Sequence, residues 1–559
     1  MADNSTNKNS ISGRSAFLSL LADEGVTTLF GNPGTTELPI MHALTSQQDI
    51  SYVMGLQESV VVAMADGYAR ASSKLAACNV HVAPGLGNAI GALYTAHASG
   101  SPVLITAGQQ EQGHGLTEPL LYAPLIPIAA PVVKWAVEVN RIEDLPRIVR
   151  RAATVALTEP TGPVFISLPG DILNTQAAID LGASTRVDTA SRPAAAAVKA
   201  LAERILLANS PVVVAGHEVV GSDAFQEIAE FATLLGAPVY QQTVNTGSHF
   251  PSEHPAYMGS LNRNQSDVHK VMSEHDLLIC VGSDVLRMSV FSEIDPLPET
   301  TPVVQIGIRD WEMGKNYAAE IAIRSDVKNT LHDLNGVLAE QGGSKLSETE
   351  GQRLASLQDK NWSAKRARAC AAARKNSEKS PIAPDWLMMS LVDHLPDNAI
   401  VVDEGLTTTY PLLDFLPFKH RYDYFGNYSG GIGWGMAAAV GVQLAQPESR
   451  VVAIIGDGSA MYSIQALWSA AKQKLPMIFV IANNGGYRVI KQRLKAFHGN
   501  EEFIGMDFQD PGISPAKLAE GFGMHAVVVE TPAEFDKAMN EANASLAPVL
   551  IDVAVQSHV

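Results

Sequence analysis

The stretch Val451-Val-Ala-Ile-Ile-Gly-Asp-Gly-Ser459 is followed, after an amphipathic run, by Pro476-Met-Ile-Phe-Val-Ile-Ala-Asn-Asn484. Two short apolar runs on either side of a helical pattern predict a strand–helix–strand unit, in which a right-handed crossover joins two parallel strands. Asp457 and Asn484 would then lie at the carboxyl ends of those strands, where open α/β sheets bind ligands.

A divalent metal and a diphosphate are the ligands that this unit favours. Carboxylate and amide oxygens are hard donors, which suit Mg²⁺ or Ca²⁺ rather than zinc. Gly456 and Gly458 leave backbone N–H groups open to phosphate oxygens at the start of the helix. An ordinary turn with a capping Asp is the alternative interpretation of this stretch taken alone.

Length and composition predict an ordinary globular protein of about three or four domains. The chain has 559 residues, of which 46% are hydrophobic and 18% charged. A formal net charge of −18 argues against a nucleic-acid partner, which would require a basic face. Cys78, Cys280 and Cys370 show no metal-binding spacing, and the first two lie in apolar runs typical of buried, reduced thiols.

A cytoplasmic enzyme without a membrane partner is the expectation for its location. The polar segment Met1–Ser15 lacks the apolar core of a signal peptide. No window of about eighteen apolar residues suggests a membrane span.

Strand-like and helix-like segments alternate almost throughout, which predicts an α/β protein whose domains are mainly parallel sheets flanked by helices. We predict a first domain over residues 1–185, a central domain over 197–341, a charged linker over 342–380 and a last domain over 381–559. No sequence repeat is visible between them. Predicted strands of the first two domains are 27–31, 76–80, 102–106, 164–168, 211–215, 237–240, 276–281 and 302–306.

The first domain contributes a second group of candidate residues. The stretch Phe30-Gly-Asn-Pro-Gly-Thr-Thr-Glu37 predicts a strand end, a tight turn and a helix start capped by Thr35 or Thr36. Glu58 opens a nearly apolar helix, where its simplest role is to complement the helix dipole. His81 follows a strand, and the glycines after it do not match the dinucleotide-binding spacing, so a nicotinamide site is not expected.

With these stretches, the whole chain resembles the superfamily of thiamine diphosphate-dependent 2-oxoacid decarboxylases and acetohydroxyacid synthases. Within that superfamily it looks most like the benzoylformate decarboxylases. The twenty-four residues between Gly456-Asp-Gly and Asn483-Asn are similar to the spacing of the superfamily's metal-binding motif. The resemblance spans roughly residues 12 to 555, and it is carried by the stretches 30–34, 56–58, 65–69, 87–93, 106–110, 133–135, 430–433, 456–459 and 483–485.

The resemblance implies a pyrimidine-binding first domain, a non-catalytic central domain and a diphosphate-binding last domain. It also implies active sites between two subunits, in a homotetramer built as a dimer of dimers. The implied cofactors are thiamine diphosphate and Mg²⁺ or Ca²⁺. FAD is not expected, because its central-domain binding segments are not recognisable.

Three catalytic roles follow from the resemblance. Glu58 would hydrogen-bond N1′ of the cofactor's aminopyrimidine and so promote loss of the proton at C2 of the thiazolium. His81 would handle protons at the substrate, although a histidine at a strand end is also explained as a structural residue. The Thr35 hydroxyl would bind the substrate carboxylate, at the position where benzoylformate decarboxylases have a serine.

The resemblance also implies binding roles. Asp457, Asn484 and the backbone carbonyl of Gly486 would hold the metal. Ile432 would support the bent shape of the cofactor, although core packing would also explain it, and the carbonyl of Gly430 would receive the 4′-amino group. The other implied cofactor-binding residues are Glu58, Asn88, Thr407, Gly456, Gly458, Ser459 and Tyr487.

The implied substrate pocket departs from the benzoylformate decarboxylases at two positions. Leu120, Leu121 and Val489 match apolar residues near the substrate. However, Ser289 stands at the position of a second catalytic histidine, and serine cannot relay protons near neutral pH as imidazole does. Arg493 stands at the position of a pocket phenylalanine.

Arg493 is accompanied on the same stretch by Arg488 and Lys491. We hypothesise that these three charges meet an anionic group on the substrate, while a solvated helix face is the alternative.

The expected function is therefore a thiamine diphosphate- and Mg²⁺-dependent carboxy-lyase acting on a small 2-oxoacid, with possible carboligase activity. One alternative is a carboligase of the acetolactate synthase or 2-hydroxyacyl-CoA lyase type. Synthases of the first kind usually carry FAD, and CoA-linked enzymes often have a longer C-terminal tail than the segment after Val553. A cofactor-binding protein without catalytic activity is the alternative from another class.

Overall fold

A computed structural model describes residues 10–559 of the chain. Residues 1–9, which include the predicted start of the first domain and most of the polar N-terminal segment, lie outside the described residues. Three separate six-stranded sheets follow one another along the chain. All neighbouring strands within these three sheets are parallel, as the alternation of strands and helices predicts.

The first sheet has the strand order β3-β2-β4-β5-β7-β6, and β1 pairs with β8 in a separate antiparallel ladder. The strands are β1 (Ile11–Ser12), β2 (Thr28–Gly31), β3 (Ser51–Met54), β4 (Ala76–Val80), β5 (Val103–Gln109), β6 (Trp135–Glu138), β7 (Val164–Pro169) and β8 (Gln176–Ala177). The helices are α1 (Gly13–Asp23), α2 (Leu38–Leu44), α3 (Glu58–Ser72), α4 (Val82–Ser99), α5 (Gln112–Gly115), α6 (Leu125–Ala129), α7 (Leu145–Leu157) and α8 (Gly170–Asn174).

The central sheet has the order β11-β10-β9-β12-β13-β14. Its strands are β9 (Pro211–Ala215), β10 (Val239–Gln241), β11 (Tyr257–Ser260), β12 (Leu277–Val281), β13 (Val303–Gly307) and β14 (Ala319–Arg324). Its helices are α9 (Ala195–Leu206), α10 (Glu218–Gly221), α11 (Phe225–Leu235), α12 (Gln265–Met272) and α13 (Val327–Leu357). Helix α13 is interrupted at Gly343, whose φ of 52° lies in the left-handed region.

The last sheet has the order β16-β15-β17-β18-β20-β19. Its strands are β15 (Ala399–Glu404), β16 (Tyr424–Gly426), β17 (Arg450–Gly456), β18 (Ile478–Asn483), β19 (His525–Val529) and β20 (Val549–Ala554). The helices of this part are α14 (Trp362–Ala373), α15 (Pro384–Asp393), α16 (Leu412–Phe415), α17 (Gly435–Ala445), α18 (Asp457–Ser463), α19 (Ala466–Gln473), α20 (Arg488–His498), α21 (Pro515–Gly521) and α22 (Pro532–Ala544).

The first and last sheets have the same topology. Counted along the chain within each sheet, both have the strand order 2-1-3-4-6-5, whereas the central sheet has the order 3-2-1-4-5-6. The segment 342–380, predicted as a linker, contains the end of α13 and all of α14. The predicted domain boundaries themselves stay a prediction. Among the described residues, no helix is long and apolar enough to cross a membrane.

The first and last domains are joined by close packing between α3 and α17. Residues of both helices belong to a single buried apolar cluster. A Cβ atom at Gly67 would meet the carbonyl oxygen of Ala438, and one at Gly441 would meet that of Met64. Because residue 67 faces 438 while residue 64 faces 441, the two helices run antiparallel.

Arg70, near the end of α3, ties all three domains together. Its guanidinium donates hydrogen bonds to the carbonyl oxygens of Thr246 in the central domain (2.7 Å) and Gly426 in the last domain (3.1 Å). It also lies over the ring of Trp434, whose indole N–H donates to the buried carboxylate of Asp66 at 2.6 Å. The carboxylate of Asp66, on the same helix, stabilises the positive charge of Arg70.

We expect Gly441→Ala to destabilise the protein by about 1–3 kcal/mol or more, because the added methyl group would overlap backbone atoms that cannot move aside. The measurement is the apparent melting temperature. Gly336→Ala is the matched control, because Gly336 lies exposed in α13 and a Cβ there meets open space. It should be neutral or stabilising by up to about 1 kcal/mol. Equal effects of the two substitutions would contradict the packing described above.

Candidate active site

The candidate residues of the first domain lie at the carboxyl ends of four neighbouring strands. Thr35 follows β2, Glu58 follows β3, His81 follows β4, and the segment with Leu120 and Leu121 follows β5. These strands are adjacent in the order β3-β2-β4-β5, so the residues share one edge of the sheet.

His81 is held by a carboxylate that sequence analysis did not single out. Its Nδ1 lies 2.7 Å from Oε2 of Glu37, whose side chain is completely buried, and 3.1 Å from the Thr36 hydroxyl. The other oxygen of Glu37 accepts hydrogen bonds from the Gly108 N–H and the Thr36 hydroxyl, both at 2.8 Å. A carboxylate only accepts hydrogen bonds, so Nδ1 of His81 donates its proton to Glu37, and Nε2 is the ring nitrogen that Glu37 leaves free.

The predicted cap of this turn was wrong. The short helical turn Thr35–Glu37 is capped by the Glu37 carboxylate, which accepts the Gly34 N–H at 3.1 Å, and not by a threonine hydroxyl. Gly34 itself is required, because a Cβ there would collide with the His81 ring. The Thr35 side chain is exposed beside this cluster.

Glu58 begins α3 and lies next to His81. Its Oε2 accepts a hydrogen bond from the Asn88 side-chain amide at 3.1 Å. A Cβ at Gly85 would lie 3.0 Å from Glu58 Oε1 and 3.4 Å from Cβ of His81, so both residues pack around this glycine. Val82, directly after His81, has a φ of 40°, which is strained for a β-branched residue. The first domain thus brings Glu58, His81 and Asn88 together.

The last domain repeats this arrangement with different residues. Thr407 follows β15, and Gly430 and Ile432 follow β16. Gly456 ends β17, the residues from Asp457 to Ser459 begin α18, and those from Asn484 to Tyr487 follow β18. These four strands are again neighbours in the sheet. Ile432 is 37% exposed, so core packing does not explain it.

Asp457 is a buried acid without a counter-charge. Its side chain is 5% exposed, and its oxygens accept backbone N–H groups of Gly458 (2.9 Å), Gly485 (2.8 Å) and Gly486 (3.0 Å). Burial raises its pKa to about 6, although these N–H groups oppose the shift. In the part of the chain that the structure describes, no cationic side chain forms an ion pair with it. A buried charge of this kind requires a partner.

The two asparagines after β18 have different surroundings. Asn483 donates to Asp552 Oδ1 at 3.0 Å and accepts the Gly485 N–H at 3.2 Å. Within residues 10–559, the side chain of Asn484 forms no hydrogen bond. Since no three His, Cys, Asp or Glu residues of the described part of the chain cluster to hold a metal, a cation would need amide and backbone oxygens. Asp457, Asn484 and the carbonyl of Gly486 are a donor set of the kind that a hard divalent cation takes.

The turn after β18 is shaped by close contacts. A Cβ at Gly458 would lie 2.7 Å from the Tyr487 ring, which packs edge-on against Phe508 with ring centroids 4.8 Å apart. The Tyr487 N–H donates to the carbonyl of Met506, and the Phe508 N–H donates to that of Gly485, both at 2.9 Å. Tyr487 therefore packs directly beside Gly458.

The predicted substrate-pocket residues are scattered over three domains. Leu120 is 85% exposed, and Leu121 is 41% exposed with a φ of 70°. Ser289 is exposed on the segment after β12 of the central domain. Val489 and Arg493 lie on α20, one turn apart and so on one face of that helix.

Two of the three charges on α20 that we expected at the substrate are engaged elsewhere. Arg488 donates to the carbonyls of His558 (3.1 Å) and Gln556 (3.2 Å) near the C-terminus. Lys491 is buried and pairs with Asp507. The hypothesis that all three meet one anionic group is wrong for Arg488 and Lys491, because their charges already bind protein oxygens. Arg493 is exposed.

The two halves of the site lie far apart within one chain. Glu58 is nine residues before Gly67 on α3, a distance of roughly 13 Å along the helix. Gly67 faces Ala438, near the start of α17, and the Gly430–Gly433 segment lies just before that start. Because α3 and α17 are antiparallel, Glu58 and Gly430 lie at opposite ends of the helix pair.

Comparison with known proteins identifies the family of this chain. Models of the N-terminal, central and C-terminal domains of thiamine pyrophosphate enzymes match residues 11–119, 198–334 and 407–553. Thiamine pyrophosphate is another name for thiamine diphosphate. The chain is 34% identical to the benzoylformate decarboxylase of Pseudomonas aeruginosa over 97% of this chain and 98% of that protein. The chain belongs to the thiamine pyrophosphate enzyme family.

Two further relatives show the range of this family. A solved structure of a thiamine diphosphate-dependent 4-hydroxybenzoylformate decarboxylase from Rhodococcus jostii RHA1 is similar, with a TM-score of 0.86 and 31% identity over 98% of this chain and 100% of that chain. The acetolactate synthase large subunit of Haemophilus influenzae is 27% identical over 95% of this chain and 92% of that protein.

Glu404, at the end of β15, is a buried carboxylate beside the candidate site that sequence analysis missed. It is 7% exposed, and its oxygens accept the N–H groups of Gly433 (2.9 Å), Trp434 (3.1 Å) and Gly435 (2.7 Å) at the start of α17. It also accepts from the Asn427 amide at 2.9 Å. Glu404 thereby connects the segment with Thr407 to the segment with Gly430. A carboxylate that ends an apolar strand is a signal that could have identified it.

We expect Glu404→Gln to flatten the pH dependence of stability. Burial raises the pKa of Glu404 from an ordinary 4.5 to about 7. Between these values the folded protein keeps a proton that the unfolded chain releases, so stability falls as pH rises through this window and is constant above it. The measurement is the apparent melting temperature from pH 5 to pH 8. Because Gln resembles the protonated acid, the wild type should lose stability relative to the variant as pH rises to 7, and parallel curves would contradict this expectation.

Proposed function

We propose that this protein is a thiamine diphosphate- and Mg²⁺-dependent decarboxylase of small 2-oxoacids, of the benzoylformate decarboxylase type, with carboligation as a side activity. The observation that carries the proposal is the buried, uncompensated Asp457 beside Asn484 and Gly486, in a chain that also places Glu58 next to His81. The similarity to two benzoylformate-type decarboxylases over nearly the whole chain supports it.

The last domain would bind the cofactor through its diphosphate. Mg²⁺ would take Asp457, Asn484 and the Gly486 carbonyl as its protein ligands, which would supply the missing counter-charge of Asp457. The remaining contacts would come from the turns around it, namely Thr407, Gly430, Ile432, Gly456, Gly458, Ser459 and Tyr487.

The first domain would supply the acid–base groups. Bound thiamine diphosphate supplies an electron sink for the electrons that remain when CO₂ leaves a 2-oxoacid. Glu58, oriented by Asn88, would hydrogen-bond the aminopyrimidine nitrogen. His81 would present Nε2 to the substrate, because Glu37 binds Nδ1 and fixes the orientation of the ring. The exposed hydroxyl of Thr35 would hydrogen-bond the substrate carboxylate.

We propose that each active site combines two subunits. Glu58 and Gly430 lie at opposite ends of the α3–α17 pair, so a cofactor bound in the last domain would meet Glu58 of a second copy. Exposed apolar side chains next to the candidate residues, such as Leu116, Leu120 and Phe291, provide surface for such a contact. A two-fold dimer has two equivalent sites, and a dimer of dimers is the proposed assembly.

An acetolactate synthase-type activity is the second candidate, because synthase relatives match nearly the whole chain. Such synthases usually carry FAD. In an open parallel sheet a nucleotide binds in the crevice where the strand order reverses, and in the central domain this crevice lies between β9 and β12. Glu218 fills this crevice, is 8% exposed and accepts the Ile308 N–H at 2.7 Å. From the last domain, Tyr428 donates to Asp284 at 2.9 Å in the same crevice. The Glu218 side chain occupies space that a nucleotide would need at this position, which favours the decarboxylase.

The remaining alternatives have less support. In residues 10–559, no structural feature favours the 2-hydroxyacyl-CoA lyase type or a cofactor-binding protein without activity. Accelerated isotope exchange at C2 of bound cofactor would exclude the latter. A cytoplasmic location, and the lack of nucleic-acid and membrane partners, stay predictions.

We expect Glu58→Gln to lower the rate of CO₂ release from benzoylformate by about 10²–10⁴-fold, because it removes an acid–base group from the reaction. Cofactor binding, followed by calorimetry with thiamine diphosphate and Mg²⁺, should persist. Asp457→Asn should instead abolish cofactor binding, because the metal loses its charged ligand. A Glu58→Gln variant with native activity would overturn the proposed mechanism.

We also expect activity to return when the two inactive variants, Glu58→Gln and Asp457→Asn, are mixed and their subunits exchanged. Each mixed dimer would contain one site without a substitution, so random mixing should restore about one quarter of the native sites. Failure of complementation, despite subunit exchange shown by native mass spectrometry, would place both residues in a site within one chain. Mixing either variant with itself is the control.

A further inference from the structure

The turn that follows β16, residues 427–433, is shaped by the side chain of Asn427. Its Oδ1 accepts the N–H groups of Ser429 (3.1 Å) and Gly430 (3.2 Å), and its Nδ2 donates to the carbonyl of Gly431 at 2.6 Å. Gly430 is exposed, and among the described residues none donates a hydrogen bond to its carbonyl oxygen. This turn, called the Gly430 turn below, therefore presents an open acceptor.

Tyr428, the second residue of the Gly430 turn, is anchored in the central domain. Its side chain is buried, and its hydroxyl donates to Oδ2 of Asp284 at 2.9 Å. Burial would raise the pKa of the Asp284 carboxyl, but His217, the Tyr428 hydroxyl and two neighbouring arginines outweigh this effect and hold the pKa below its ordinary value. The acceptor is therefore a carboxylate, which makes the hydrogen bond stronger than one between neutral groups.

The ring of Tyr428 is enclosed by further side chains of the central domain. The ring of His217 packs edge-on against it, with centroids 5.2 Å apart. The guanidinium carbons of Arg287 and Arg309 lie 5.4 Å and 5.8 Å from its centroid, within the range at which a cation attracts an aromatic face. The central domain thus holds both the hydroxyl and the ring of Tyr428.

The first domain holds the next residue of the Gly430 turn. The Ser429 hydroxyl oxygen lies 2.8 Å from that of Thr95 on α4. At the end of the same helix, the carbonyl oxygens of Ala98 and Ser99 accept hydrogen bonds from Arg309, both at 3.4 Å. The first and central domains are therefore joined to each other where they hold this turn of the last domain.

Such anchors matter because the turn is rich in glycine. Gly430 and Gly433 have φ values of 78° and 98°, in the left-handed region. A glycine-rich segment restricts its own backbone very little, so side-chain contacts decide where it lies. Tyr428 is two residues from Gly430, whereas the metal-binding candidates Asp457 and Asn484 lie on other turns of the sheet.

We propose that Tyr428 is a positioning residue for the cofactor: through its hydrogen bond to Asp284, the central domain fixes the Gly430 turn where the Gly430 carbonyl can receive the 4′-amino group. This inference rests on the proposed function. It gives the central domain, which the resemblance implies to be non-catalytic, a part in orienting the aminopyrimidine.

The experiment compares two ligands of the last domain in wild type and Tyr428→Phe, which lacks only the hydroxyl. Thiamine diphosphate contains the aminopyrimidine, whereas pyrophosphate would use the metal and diphosphate contacts alone. By calorimetry with Mg²⁺, the variant should bind thiamine diphosphate about ten-fold more weakly and pyrophosphate within about two-fold of wild type. With saturating cofactor, kcat for benzoylformate should fall about ten-fold while KM stays within about two-fold.

Tyr317→Phe is the matched control. The Tyr317 hydroxyl donates to Oδ1 of Asp295 at 2.7 Å, so this variant also removes a bond between a tyrosine and an aspartate, but one that lies within the central domain. It should leave both affinities and kcat within about two-fold of wild type. The apparent melting temperatures show that the variants are folded.

A double-substitution cycle tests whether Tyr428 acts through Asp284. Asp284→Asn removes the charge of the acceptor and should also weaken thiamine diphosphate binding more than pyrophosphate binding. Because both substitutions affect one contact, adding Asp284→Asn to Tyr428→Phe should change the affinity by no more than about two-fold. Effects that multiply would show that the two residues act independently, and would overturn the proposed route through Asp284.

The outcomes separate this inference from the proposed function. If Tyr428→Phe binds thiamine diphosphate like wild type, or loses affinity for pyrophosphate equally, the positioning role is wrong. The decarboxylase proposal then stands, provided that wild type releases CO₂ from a 2-oxoacid. A selective loss of thiamine diphosphate affinity, in a protein that releases CO₂ from no 2-oxoacid, would support the positioning role and overturn the decarboxylase proposal.

Discussion

The antiparallel contact between α3 and α17 fixes where the candidate residues of the first and last domains lie relative to each other. Glycines at 67 and 441 let the backbones of the two helices touch, which leaves no room for sliding or rotation. The contact fixes the first domain relative to the last, and it directs the carboxyl edges of their sheets in different directions. Glu58 and the turn with Gly430 therefore lie at opposite ends of the helix pair within one chain. Our proposal that each active site combines two subunits rests on this packing.

The same sheet topology supports two kinds of chemistry in this protein. In both outer domains the candidate residues follow the first four strands of a 2-1-3-4-6-5 order. In the first domain these turns hold Glu58 and a histidine oriented by Glu37, which suits proton transfer. In the last domain they hold glycines, an unpaired acid and amide oxygens, which suit a metal and a diphosphate. The fold supplies the position, and the residues on the turns decide the chemistry.

Four of the buried acids among the described residues have different environments. Glu37 binds a histidine, and Glu404 is satisfied by N–H groups at a helix start. Glu218 fills the crevice of the central domain and accepts a backbone N–H. Asp457 also accepts N–H groups but belongs to a donor set that suits a cation. Burial raises the pKa of Glu404, Glu218 and Asp457, because it disfavours the charged form of each carboxyl group.

The sequence by itself determined the α/β class, the parallel strands and the turns that carry Asp457, Asn484, Glu58 and His81. These features are local, because short apolar runs and the glycines after them specify a strand and its end within a few residues. It could not identify Glu37 or Glu404 as partners, since their roles depend on atoms 44 and up to 31 residues away. Only the tertiary structure decided that α3 and α17 are antiparallel and that Arg488 and Lys491 are engaged. The physical reason is that contacts between distant segments depend on how whole helices pack, which no local pattern of residues encodes.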